Sequence, residues 1–104
     1  MATINVTWDS TNNKPSAPDA TLDGVGTGAQ TITWVPDGTV TITAITPMIG
    51  AIAGDFTSPA QVPCSGNWQC TDNMANSGNV SYTIVGLPKG GGAVAGHDPQ
   101  IRND

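Results

Sequence analysis

The sequence predicts an all-β domain, and three observations carry the prediction. Apolar and polar residues alternate with a period of two in several short runs, which puts one set of side chains on a dry face and the other on a wet one. Composition agrees: among 104 residues there are 13 Gly, 8 Pro and 14 Thr, but only two Leu and no Glu. That usage withholds the best helix formers and supplies strands and turns. Turn residues, finally, punctuate the chain at short intervals. About seven short strands in a single domain over residues 1–104 imply a two-sheet antiparallel sandwich, with a small closed barrel as the alternative.

Taken in order, Ile4, Val6 and Trp8 alternate with Thr3, Asn5 and Thr7 to form a first strand, which gives way to the polar loop DSTNNKPSAPDA. Leu22 and Val25 offer a short second strand, interrupted by Gly24, Gly26 and Gly28. The clearest pattern lies at 30–42, QTITWVPDGTVTI, where Ile32 and Trp34 share one face, Val40 and Ile42 share another, and threonines fill the opposite positions. Pro36-Asp37-Gly38 between the two runs reads as the loop of an antiparallel hairpin, with Gly38 at positive φ. Ala44 and Ile45 extend the second run.

Periodicity fails from Thr46 to Gly78. Met48, Ile49, Ile52, Phe56, Val62 and Trp68 are scattered there among prolines and glycines. The stretch reads as one long connection packed back on the sheet, with an irregular edge strand at 60–63. Order returns at 79–86, where Val80, Tyr82 and Ile84 face one way and Ser81, Thr83 and Val85 the other. After a turn at 87–92, Ala93 to Ala95 pair back and a final strand runs through Gln100, Ile101 and Arg102. The predicted core is therefore Ile4/Val6/Trp8, Ile32/Trp34, Val40/Ile42 and Val80/Tyr82/Ile84.

A net charge of −5, from eight Asp against Lys14, Lys89 and Arg102, repels phosphate backbones and anionic lipid, so neither nucleic acid nor membrane is an expected partner. No apolar run approaches the ~18 residues of a membrane span. The opening MATINVTWD has neither the basic nor the apolar region of an export signal. Cys64 and Cys70, in CSGNWQC, point the other way: the short, turn-rich spacing suits a local disulfide. A bridge implies a secreted or periplasmic protein written without its leader, whereas reduced thiols fit the cytoplasm.

Candidate chemistry is sparse. The single histidine, His97, precedes Asp98, but neighbours on a strand point to opposite faces, and no GxSxG elbow supplies a nucleophile. No enzyme and no cofactor are expected. Asp72, Asn73 and Asn76, with Asn79, make an oxygen-rich cluster that a calcium ion can use, although the same residue types form turns for backbone reasons alone. Trp68, inside the loop between the cysteines and near Phe56, Gln69, Asp72 and Asn73, is placed to meet a sugar ring or a partner protein, or else to fold beneath the loop. Exposed Thr rows read as solvated sheet faces, and uncovered sheet edges allow a homo-oligomer.

The TITWVPDGTVTI segment, the SYTI strand and the closing YTIVGLPKGGGAVAGHDPQIRND resemble small bacterial β-sandwich proteins of immunoglobulin-like or cupredoxin-like build. The resemblance implies a fold and no activity. A cupredoxin copper site takes two His, a Cys and usually a Met; Cys70, Met74 and His97 are the nominees here, and the second His is missing. The function expected is a non-catalytic binding or structural module using the loops of 46–78, the alternative being a metal-binding protein, calcium ahead of copper.

Overall fold

Burial along the strands repeats every two residues, as pleating requires. In β1 (Ala2–Asp9) Ile4 and Val6 are buried between exposed Thr3, Asn5 and Thr7. The computed structural model describes residues 2–104. The remaining strands are β2 (Lys14–Ser16), β3 (Ala20–Leu22), β4 (Gln30–Pro36), β5 (Val40–Ile45), β6 (Ala60–Gln61), β7 (Trp68–Asp72), β8 (Gly78–Ser81), β9 (Ile84–Pro88), β10 (Ala95–His97) and β11 (Gln100–Asn103), with one turn of 3-10 helix at Ala53–Asp55.

The fold is all-β, as expected, but the strands among the described residues number eleven rather than about seven. Two causes account for the difference. β2 and β7 lie in stretches expected to be loop, the first only three residues long and the second without apolar alternation. The expected strand at 79–86 is also broken at Tyr82 and Thr83, whose backbone N–H groups leave the ladder for the Pro99 carbonyl and the Thr46 hydroxyl. Its halves, β8 and β9, therefore join different sheets.

A five-stranded sheet has the order β2-β1-β4-β7-β6, and two three-stranded sheets have the orders β10-β9-β5 and β3-β11-β8. Two of the three are mixed, because β1 runs parallel to β4 and β3 runs parallel to β11. The expectation of purely antiparallel sheets is corrected accordingly: parallel partners must be far apart in sequence, and local alternation carries no trace of them.

The hairpin expected at 30–42 is also corrected. β4 lies between β1 and β7, whereas β5 pairs with β9 in another sheet. Residues 36–38 form an arch between sheets, and Gly38 does not adopt positive φ. The arch is pinned to β1: Asp37 N–H donates to the Val6 carbonyl at 2.9 Å, and Asp37 Oδ1 accepts from Thr39 N–H and hydroxyl. The Thr39 hydroxyl in turn accepts from Trp8 N–H at 2.9 Å. These bonds to Thr39 hold the Asp37 carboxyl below the usual carboxylate range.

A single apolar core gathers Ile4, Val6, Ile32 and Trp34 from the five-stranded sheet, Val40, Ile42 and Ile84 from the second, and Leu22, Val80 and Ile101 from the third. Trp34 and Tyr82 are its largest fully buried members. Their rings meet edge to face at 5.4 Å, and the indole N–H donates to the Tyr82 hydroxyl at 2.9 Å. Trp8, predicted with the core row of β1, is only partly buried. In β5 a bulge between Ile42 and Ala44 resets the alternation and returns Ile45 to the core. Among the described residues no helix is long and apolar enough to cross a membrane.

Candidate functional site

β7 is the element that organises the non-repetitive half of the chain. Trp68, Cys70 and Asp72 point inward, so Gln69 and Thr71 point outward, beside Thr31 and Thr33 of neighbouring β4. A strap over 57–63 runs beside β7, where β6 is the edge strand of the same sheet. It is stitched to β7 by Thr57 N–H to the Thr71 carbonyl at 2.9 Å, by Thr71 N–H to the Thr57 hydroxyl at 2.8 Å, and by the β6 ladder. Between strap and sheet lies a hollow of about 340 Å³, bordered by Thr31, Thr57, Ser58, Gln61, Gln69 and Thr71. Gln69 Nε2 donates to the Thr33 hydroxyl at 3.1 Å, and Gln61 Nε2 to the Ser65 carbonyl at 3.1 Å, so both carboxamides are held in place.

Among the described residues no carboxylate, imidazole or amine borders this hollow. Cys70, its one ionisable neighbour, is buried on the inner side of β7, and burial, with Asp72 close by, pushes its thiol up to about 12. Beside apolar Ala60, Val62 and Pro63, the hollow offers hydroxyls and carboxamides, groups that hydrogen-bond without moving protons at neutral pH. The arrangement suits a neutral polar ligand.

The residues expected to form a site are distributed differently. Of the five proposed for ligand contact, only Gln69 faces the hollow. Trp68 sits opposite Trp34 in the ladder, hence on the inner face, and packs partly buried against the core with its indole N–H enclosed and unpartnered. Phe56 is half-buried against the same core and bridges to the backbone of Asp72. Asp72 is fully buried. Asn73 is exposed, its N–H bonded to the Asp55 carbonyl at 2.7 Å.

The calcium cluster does not converge. Asp72 faces inward, while exposed Asn76 donates its backbone N–H and its amide to the Asp55 carboxylate at 2.9 and 3.1 Å. Among the described residues no group of three or more His, Cys, Asp or Glu side chains is placed to hold a metal. The copper nominees also stand apart: Cys70 and Met74 are core residues, whereas His97 lies on β10 with Nε2 3.1 Å from the Ala17 carbonyl oxygen. Asp98 accepts instead from the Thr83 hydroxyl at 2.6 Å.

The expected disulfide is corrected: Cys64 and Cys70 are both free. Cys64 is exposed in a turn at φ 60°, while Cys70 is buried on the inner face of a strand.

One polar feature escaped sequence reading altogether. Asn103, on β11, is buried and donates from Nδ2 to Asp72 Oδ1 at 3.0 Å, joining two sheets through the interior. Its spacing of two from Ile101 was the available signal, since residues i and i+2 share a face. Compared with known proteins, the chain matches no family model and no curated protein.

Proposed function

We propose that the chain is a non-catalytic binding module, built as a two-layer sandwich of immunoglobulin-like or cupredoxin-like type, whose recognition surface lies within 46–78. Support for two layers comes from the thinnest dimension of the molecule, 17 Å, and from the Trp34–Tyr82 contact across the core. Packed sheets lie about 10 Å apart, which leaves room for two and no more.

The observation that carries the binding reading is the strapped hollow with its neutral hydrogen-bonding rim. Fixed amides and hydroxyls on a sheet, backed by a packed core, present donors and acceptors with little entropy left to lose. A carbohydrate, with its array of hydroxyls, matches that rim, and Gln69 is the residue best placed to read it. The absence of catalysis is supported by the engagement of His97 and Asp98 in separate structural hydrogen bonds.

Titration of the isotope-labelled protein with a panel of neutral oligosaccharides tests the reading by NMR. The expected result is amide shifts confined to Thr31, Gln61, Gln69 and Thr71, abolished in Gln69→Ala. Shifts centred elsewhere, or an unchanged affinity in Gln69→Ala, would remove the hollow as the site.

A further inference from the structure

We propose that Asp72 is a protonated carboxylic acid in the folded protein and that it closes a ring of two hydrogen bonds with Asn103, a proton-dependent clasp between β7 and β11. Neither residue is accessible, Asp72 at 0% and Asn103 at 1%. One half of the ring is in place: Asn103 Nδ2 donates to Asp72 Oδ1 at 3.0 Å, and Met74 N–H donates to the same oxygen at 3.0 Å. The other half consists of Asp72 Oδ2 and Asn103 Oδ1, both buried and both without a partner.

If Asp72 is ionised, these are two orphan acceptors that cannot serve each other, and each incurs the desolvation cost of an unmade hydrogen bond. A single proton on Oδ2 turns it into a donor toward Asn103 Oδ1 and satisfies both atoms at once. Exchanging the amide O and N of Asn103 does not resolve both: it sets the amide oxygen against Asp72 Oδ1, itself an acceptor already served by Met74 N–H, and leaves that amide oxygen buried without a donor.

The charges around the site favour the same state. On β7, Cys70 is a neutral thiol. On the 3-10 turn, Asp55 is a second carboxylate whose charge opposes another beside it. Opposite Asp72 on β4 is Gln30, which is uncharged. On β11, Arg102 is exposed on the other face and paired with Asp104 at 2.7 Å. No cation faces Asp72 among the described residues. Burial moves its pKa upward, with the Met74 and Asn103 hydrogen bonds acting the other way.

The sign of the pH effect follows. Above the ordinary carboxylate range the unfolded chain has released the Asp72 proton while the folded chain retains it, so stability falls as pH rises through that interval. The loosening is expected where β11 is tied down, at the bonds between Asp104 and Leu22, Gly24 and Val25.

Carboxyl ¹³C NMR of the wild-type protein from pH 3 to 8 provides the test. Asp72 is expected to keep its protonated shift through the range in which exposed aspartates titrate; a midpoint in the ordinary range, as for an ionised Asp72 bridged to Asn103 by a buried water, overturns the proposal. Asp72→Asn supplies the same donor and acceptor without a proton. It is expected to raise Tm at pH 7 by about 5 °C and to match wild type near pH 3; a lower Tm at pH 7 overturns the proposal.

Discussion

Residues 30–45 and residues 64–74 differ in how plainly they announce themselves, and the difference separates two kinds of information. The first region alternates in sequence as far as Ile42, and its inward row of Ile32, Trp34, Val40 and Ile42 is buried as alternation predicts. Yet its two strands belong to different sheets. The second region shows no apolar alternation because its inward row is Trp68, Cys70 and Asp72, and it nevertheless supplies an interior strand paired on both edges. Periodicity reports which way a side chain points. Which strand lies alongside is settled by long-range packing and by turns such as the Asp37 arch.

The largest test of that distinction compares the two tryptophans that face each other across β4 and β7. Trp34→Ala removes a fully buried side chain and is expected to cost about 3–5 kcal/mol in urea denaturation, while half-buried Trp68→Ala costs about 2 kcal/mol or less. Equal losses would mean that the legible strand is no more central than the illegible one. Next comes Gly86 on β9, where an added Cβ would lie 2.7 Å from the Thr41 carbonyl oxygen and 3.3 Å from Pro15. Gly86→Ala should therefore cost about 1–3 kcal/mol, and a neutral result would show that β5 and β9 can separate.

Alkaline pH probes the core between the two regions. Burial pushes both Cys70 and Tyr82 up to about 12, from ordinary values of 9.0 and 10.0. Between those pH values the unfolded chain has lost protons that the folded chain keeps, so stability falls as pH rises. The urea midpoint should decline from about pH 9 to 12, less steeply in Tyr82→Phe; an identical slope would place the tyrosine in contact with solvent. A thiol reagent should find one reactive cysteine, Cys64, in the native protein and two after unfolding. The smallest effect belongs to the arch: Gly38 has open space around its Cβ position and no positive φ, so Gly38→Ala should lie between no change and a gain of about 0.5 kcal/mol. A clear loss would reinstate the hairpin geometry.

The all-β class and most of the core were legible, because Ile4, Val6, Val80, Tyr82 and Ile84 obey a rule that pleating imposes locally. The parallel pairings were not, nor was the bulge that turns Ile45 inward, since both depend on a partner strand. At the candidate site, Thr31 and Thr33 were read as an outward row, and Gln69 was named among the ligand contacts but in company that faces elsewhere. Spacing suggested a disulfide for Cys64 and Cys70, but spacing carries no Cβ direction. In sequence, Asp72 belongs to an oxygen-rich cluster with Asn73 and Asn76, residue types that suit a hard cation or a turn and carry no sign of burial. Hydrogen bonds from Asn103, 31 positions away, and from Met74 N–H hold it in the interior.

The pairing of β11 with β3 has a consequence for how the molecule is made. Ile101 fills the core, and the Asp104 carbonyl accepts the amides of Gly24 and Val25, so residues 100–104 complete a structure begun by residues 20–25, which are made well before them. Closing so long a loop is slow relative to local pairing. Until it happens, β3 offers an unpaired edge and the core stands open at one end, the state in which a nascent chain is most exposed to aggregation and most dependent on being shielded.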